Sequence, residues 1–223
     1  MAKNTSHGSN AVVVIGLGRF GRSVALSLAR LGHEVLGIDS SPEPVQELAD
    51  RLTHVVEAES TNSDALRRLG VHEFEHAVVG VGSDVEASVL TVLALNELGI
   101  PDIWAKAVSD QHGRILEKTG AHHVVYPEAT MGERVAHLVT GKMIDFIEFD
   151  DGFAIVKTRT PEEAVGKSLA ESALRSKYGI TIVGVKRPQT DFTYATPDTV
   201  VEKGDLLIVS GPTKQVEKFA AVT

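Results

Sequence analysis

The sequence predicts an α/β fold, a parallel sheet with helices on both faces, followed by a small α+β C-terminal lobe. Three observations carry this. Residues 12–15 are a β-branched apolar run that stops at Gly16, Gly18 and Gly21, and apolar residues at helical spacing follow over 19–31. A second apolar strand, 34–38, ends at Asp39, eighteen residues after Gly21. Strand-like runs then alternate with helical stretches as far as Tyr126, and past Gly141 the rhythm changes to short strands with one helix among them.

Strand, glycine turn, helix, strand and acid in this register form the dinucleotide-binding fingerprint of a Rossmann-type domain, expected over residues 11–126. Its glycines have separate tasks. One makes the tight turn, one lets the backbone approach a pyrophosphate, and one lets the helix pack close to the strand. The helix start offers free N–H groups and a partial positive charge, and the acid stands where ribose hydroxyls are met. Taken alone, a glycine triplet reads equally as a structural turn.

Along the chain, residues 1–10 are polar and read as a disordered lead. After Asp39 comes a helix over 42–51, capped by Ser40 or Ser41 with Pro42 in its first turn, then a strand over 54–57 and a helix over 63–69 that stops at Gly70. A fourth strand, 76–81, runs into a helix over 83–98 closed by Gly99. Pro101 prevents its resumption, the fifth strand at 102–107 holds the only tryptophan, and a helix at 110–118 and a strand at 122–126 complete six βα units. Met131, Val135, Leu138 and Val139 fall on one face of a crossover helix and hinge over 127–145, which needs a partner surface. The C-terminal lobe, 146–223, has strands expected at 146–149, 154–158, 180–186, 192–195 and 205–209 and a helix over 169–177.

Composition bounds the function. With 223 residues, 43% of them apolar, the chain can build a core, and a formal charge of −8 argues against a broad basic nucleic-acid surface. The absence of cysteine excludes disulfides, thiolate metal sites and cysteine nucleophiles. No apolar run is long enough to span a bilayer and no signal-peptide pattern opens the chain, so a cytoplasmic, soluble protein is expected. Among nine histidines, His122 and His123 are adjacent and would point to opposite faces of a strand, which disfavours a shared metal. No Tyr/Lys or His/Asp proton-transfer set stands out, so no catalytic residue is assigned.

The motifs GLGRFG, Asp39, AEST at 58–61, IWAKA at 103–107 and YPEATMG at 126–132 occur in order. They are followed by SKYGITIVGVKR at 176–187 and TPDTVVEKGDLLIVSG at 196–211. With them the chain resembles the RCK proteins, the cytosolic regulatory subunits of Trk and Ktr potassium uptake systems, and its single-copy length is similar to the Ktr type. The resemblance implies a non-enzymatic gating subunit, a homodimer that assembles to a homo-octameric ring. That ring docks on the inner face of the membrane under a potassium channel or transporter subunit of the KtrB/TrkH type and responds to ATP and ADP.

By position, the resemblance places Gly16, Gly18, Arg19, Phe20 and Gly21 in the phosphate loop and Asp39 and Ser40 at the ribose. Glu59 and Ser60 fall beside the adenine, with Glu59 where the family usually has Asp or Asn; Gly82 and Ser83 border the crevice. Lys106 matches the lysine of the fifth strand, and Glu128 the acid that would hold Mg²⁺ or Na⁺ against a triphosphate. Plainer readings stand beside these: Arg19 as a solvated first-turn residue, Lys106 as a surface lysine, Glu128 as a helix-dipole acid, Ser83 and Asp84 as helix caps. In the C-terminal lobe, relatives bind cyclic di-AMP, and Arg175, Ile180, Ile182 and Pro197 are the corresponding candidates, the isoleucines reading equally as core. The alternatives to gating are an NAD(H)-binding redox sensor and a small NAD-dependent oxidoreductase; Asp39 allows NAD(H), while nothing nearby resembles the arginine expected for a 2′-phosphate.

Overall fold

A computed structural model describes residues 10–139, 143–149 and 152–223. The chain divides into two compact units, Met1–Glu128 and Ala129–Thr223. The expected disordered lead lies outside the described residues except for Asn10, whose side chain donates to the Gly32 carbonyl at 3.1 Å. Residues 140–142 of the expected hinge are also outside them.

The first unit runs β1 (Ala11–Ile15), α1 (Arg19–Arg30), β2 (Glu34–Asp39), α2 (Pro42–Leu48), β3 (His54–Glu57), α3 (Ser63–Arg68), β4 (His76–Val79), α4 (Val85–Glu97), β5 (Asp102–Lys106), α5 (Asp110–Thr119) and β6 (His123–Val125). All six strands are parallel, in the order β3-β2-β1-β4-β5-β6. Winding therefore reverses between β1 and β4, and a crevice opens at their carboxyl ends.

The run of consecutive apolar residues in β1 has its cause in burial on both faces. Val12 and Val14 pack with Leu17, Ala25, Val35 and Leu48, while Val13 and Ile15 pack with Ile38, Val79, Leu95, Ile103 and Leu116. Short side-chain caps place the helix starts: Asn62 before α3, Ser109 before α5, and Asp84 before α4, where its carboxylate accepts from the Ala87 N–H at 2.9 Å. Ser83 therefore lies outside the helix expected to begin with it, and the fourth strand ends at Val79 rather than continuing to Val81.

The edge strand β6, only three residues long, is held at its start by Asp102 of β5. The Asp102 carboxylate is 2.8 Å from His76 Nδ1, accepts from Trp104 Nε1 at 3.1 Å, and lies 3.2 Å from His123 Nε2, while the Trp104 and His123 rings stack at 4.1 Å. Burial opposes ionisation of Asp102, but the hydrogen bonds from His76 and Trp104 and the charges of His123 and His76 prevail and hold the carboxyl below its ordinary value.

The second unit continues from α6 (Pro127–Val139), which begins at the end of the first, through β7 (Asp145–Phe149), β8 (Phe153–Arg159), α7 (Leu169–Ser172), α8 (Leu174–Tyr178), β9 (Thr181–Lys186), β10 (Phe192–Tyr194), β11 (Leu206–Pro212) and α9 (Thr213–Ala220). Its five strands are antiparallel, ordered β10-β9-β11-β8-β7. Two expectations are corrected here. The single helix over 169–177 is two: a capping box of Ser168 and Glu171 starts α7, and Ala173, left-handed at φ 50°, ends it so that Leu174 can turn into the core. The helix α9 was not expected, although Val216, Phe219 and Ala220, all fully buried, carry the i, i+3, i+4 spacing that marks one.

Asp102→Asn should lower stability at pH 7 by about 1–2 kcal/mol, the scale of losing a charge-assisted hydrogen bond. Because the native carboxyl is held below its unfolded value, its contribution is complete above about pH 4 and is lost as pH falls through the native value. Thermal unfolding of both proteins between pH 3 and 7 should show the gap closing on the acid side.

Candidate functional site

The turn after β1 is a backbone-on-backbone contact. Gly16 takes φ +84°, and a Cβ there would stand 2.8 Å from the Val81 nitrogen. A Cβ on Gly21 would fall on the Gly16 carbonyl oxygen, and one on Gly80 would come 2.8 Å from that same atom. These three glycines let α1 abut the ends of β1 and β4. Gly18 differs: a Cβ there would meet nothing within 4 Å, so the protein itself leaves this position open towards the crevice. It is the N-cap residue of α1 and supplies no side-chain cap, so the first N–H groups of the helix face the crevice unmet by a side chain.

From the other side, Asp39 fastens the loop. The Leu17 N–H donates to its Oδ2 at 2.6 Å and the Ser41 N–H to its Oδ1 at 2.9 Å. Each carboxylate oxygen keeps a further lone pair for a ligand hydroxyl.

A cleft of about 450 Å³ lies at this switch point and brings together eight of the sequence candidates: Gly16, Gly18, Asp39, Ser40, Glu59, Ser60, Gly82 and Ser83. Ser41, Glu43, Pro44, Gly80, Val81, Asp84 and Ala87 line it too. Of these, sequence reasoning named Ser41 and Asp84 only as helix caps and assigned none of the seven to the crevice. The β2–α2 turn had a usable signal, since it follows Asp39 directly, and Gly80 had one in the glycine that ends a central strand. The Glu59 carboxylate is folded back, accepting from the Thr61 N–H at 3.2 Å and from its hydroxyl at 3.1 Å. The Ser60 hydroxyl is turned away from the cleft, 2.8 Å from Thr91 Oγ1.

Four candidates form a charged group beside the cleft rather than its wall. Lys106, at the end of β5 and with a side chain only 13% exposed, holds Glu128 Oε1 at 2.6 Å, and its Nζ lies 5.9 Å from the Phe20 ring centroid. The group adjoins the cleft through Gly82, where a Cβ would be 3.2 Å from Lys106 Nζ. The hydrogen bond from Lys106, then the backbone N–H of Glu128 itself, and further the charges of Lys106 and Arg19, hold the Glu128 carboxyl below the ordinary glutamate value against a small burial effect. Among the described residues no group of three or more His, Asp or Glu side chains could hold a metal ion. Glu128 thus fits a cation only as one ligand of several, the rest coming from a ligand such as phosphate.

The second unit has its own cavity, about 710 Å³, with Arg175, Ile182 and Pro197 in its lining beside Leu169, Leu174 and Thr196. Ile180 does not line it; 1% exposed, it packs in the core with Leu174 and Phe219, because it stands where the chain turns inward to begin β9. The rim is pinned by the N–H groups of Leu169 and Ala170, which donate to the Thr199 and Pro197 carbonyls at 2.9 Å.

Comparison with known proteins places this geometry. The TrkA-N domain matches residues 12–127 and the TrkA-C domain residues 153–222. Ktr system potassium uptake protein A of Bacillus subtilis (strain 168) is 37% identical over 207 residues, covering 92% of this chain and 93% of that protein. The protein of the same name from Vibrio alginolyticus is 33% identical over 206 residues, covering 92% and 94%. Among solved structures, the GsuK RCK domain superposes with a TM-score of 0.67 at 19% identity, covering 100% of this chain and 48% of that one. The GsuK channel bound to NAD gives 0.65 at 19%, covering 96% and 39%. This chain spans about half or less of the GsuK chains, and at these identities the likeness is one of fold.

The contrast among the glycines is testable. Gly21→Ala should cost about 2–3 kcal/mol or more through overpacking against the Gly16 carbonyl, whereas Gly18→Ala should cost about 1 kcal/mol or less. Urea unfolding of the two variants measures the difference.

Proposed function

Starting from a chain that belongs to the TrkA-N/TrkA-C family of RCK regulatory subunits of Ktr-type potassium uptake systems, we propose that it gates its membrane partner by sensing adenine nucleotides. The observation that carries this is the cleft at the β1/β4 switch point, with Gly18 open, the start of α1 uncapped and Arg19, Lys106 and Glu128 beside it. The N–H groups of α1 bind phosphate oxygens, Asp39 and Ser40 take ribose hydroxyls, and the loop of Glu59 and Ser60 faces the base. Arg19, the first residue of α1, reaches a terminal phosphate with its forked donors.

Lys106 and Glu128 neutralise each other without a ligand. Glu128 would help hold Mg²⁺ or Na⁺, whose charge would offset the repulsion between this carboxylate and a triphosphate, and Lys106 would then be free to meet phosphate. ATP and ADP would thereby favour different shapes, and a ligand moves an equilibrium only by such a difference. The subunits work as dimers assembled in an octameric ring. Among the described residues no helix is long and apolar enough to cross a membrane, in keeping with a cytoplasmic ring attached through its channel partner. In the second unit, the cavity lined by Arg175, Ile182 and Pro197 takes cyclic di-AMP. A second reading, an NAD(H) sensor without turnover, is favoured by Asp39 at the end of β2, and one solved relative in fold is the GsuK channel bound to NAD.

Calorimetric titration with ATP, ADP, NADH and cyclic di-AMP, with and without Mg²⁺, tests these assignments. Arg19→Ala should weaken ATP roughly tenfold and ADP much less; equal losses would remove the terminal-phosphate role. Glu128→Gln should abolish the Mg²⁺ dependence of ATP binding, and an unchanged dependence would remove the cation role. Tight NADH binding with weak ATP and ADP binding would favour the second reading, and turnover of NADH would favour an oxidoreductase.

A further inference from the structure

The wall of the cleft that carries Glu59 and Ser60 is a short loop between β3 and α3. Most of its hydrogen bonds stay local. The Ala58 N–H donates to the Asp39 carbonyl at 2.9 Å, Glu59 is bonded to Thr61, and Asn62 caps α3. One bond leaves the loop for α4: Ser60 Oγ lies 2.8 Å from Thr91 Oγ1, with Ser60 9% and Thr91 0% exposed.

Thr91 stands one helical turn beyond Ala87, so the two share a face of α4, and Asp84 caps the start of that helix. Asp84 and Ala87 line the cleft, and Thr91 does not. Its neighbours Val92 and Leu95 belong to the apolar core, where valine would fill the same volume and a buried hydroxyl is costly unless it is partnered. A hydroxyl there is explained by what it holds. We propose that Thr91 is a positioning residue: through Ser60 it ties the loop bearing Glu59 to the middle of α4 and so sets the affinity and base preference of the cleft. The inference rests on the nucleotide reading given above.

The test is calorimetric binding of ADP and GDP to the full-length protein, with melting temperatures, for wild type, Thr91→Val, Thr91→Ser and the Ser60→Ala/Thr91→Val double variant. Thr91→Val should weaken ADP by about fivefold or more and narrow the preference for ADP over GDP. Thr91→Ser, which keeps the hydroxyl, should bind as wild type. In the double variant no hydroxyl is left unpartnered, so the melting temperature should return towards wild type while ADP binding stays weak. Wild-type affinity in Thr91→Val, or affinity recovering with stability in the double variant, overturns the inference. Wild type that binds neither nucleotide overturns the nucleotide reading itself, and this inference with it.

Discussion

The site depends on one close approach, the passage of Gly21 across the Gly16 carbonyl. No side chain fits there, and Gly80 seals the same contact from β4. Because the start of α1 is pressed against the ends of β1 and β4, its free N–H groups arrive at the crevice mouth without any side chain directing them. Asp39 completes the arrangement from β2 by holding the Leu17 N–H. Three strands and a helix are thereby joined by backbone contacts and one carboxylate, and of Gly16, Gly18 and Gly21 only Gly18 is sterically unconstrained by the protein.

That division explains why the first unit was legible in the sequence. Buried on both faces, β1 had to be continuously apolar, and glycines at Gly16 and Gly21 were required by turn and contact, so pattern and structure have one cause. Asp39, Ser40, Glu59 and Gly82 could be placed in one cleft because each follows the end of a parallel strand or borders that loop. What the sequence could not show is where side chains turn once there. Ser60 points away from the cleft to Thr91, Lys106 pairs with Glu128, and both contacts join residues over twenty positions apart.

The second unit was harder to read because its elements are short and half exposed. A left-handed Ala173 has no local signature, since alanine favours continuation of a helix and only the burial of Leu174 ends it. Ile180 and Ile182 illustrate the same limit. Residues two apart along a strand share a face, so the pattern alone would group them, but Ile180 precedes β9 and is buried in the core, while Ile182, within β9, is only partly buried and lines the cavity.

The charges at the crevice run against those of the whole chain. The protein carries a formal charge of −8, yet α1 has no acid in its first turn and begins with Arg19, a sign that the helix dipole disfavours. Among the described residues Arg19 makes no hydrogen bond or ion pair, and its charge acts on Glu128 from a distance. A helix start with neither cap nor acid, and with a cation added, is electrostatically incomplete until an anion occupies it. Lys106 is complete already, because Glu128 answers it. On the proposed reading, a polyphosphate would satisfy α1 and Arg19 at once and compete with Glu128 for Lys106, and a cation held by Glu128 would offset that competition. On the same reading, a diphosphate that stopped short of Arg19 would leave the Lys106–Glu128 pair standing. The proposed difference between the two ligands would then fall on Lys106 at the end of β5 and Glu128 at the start of α6.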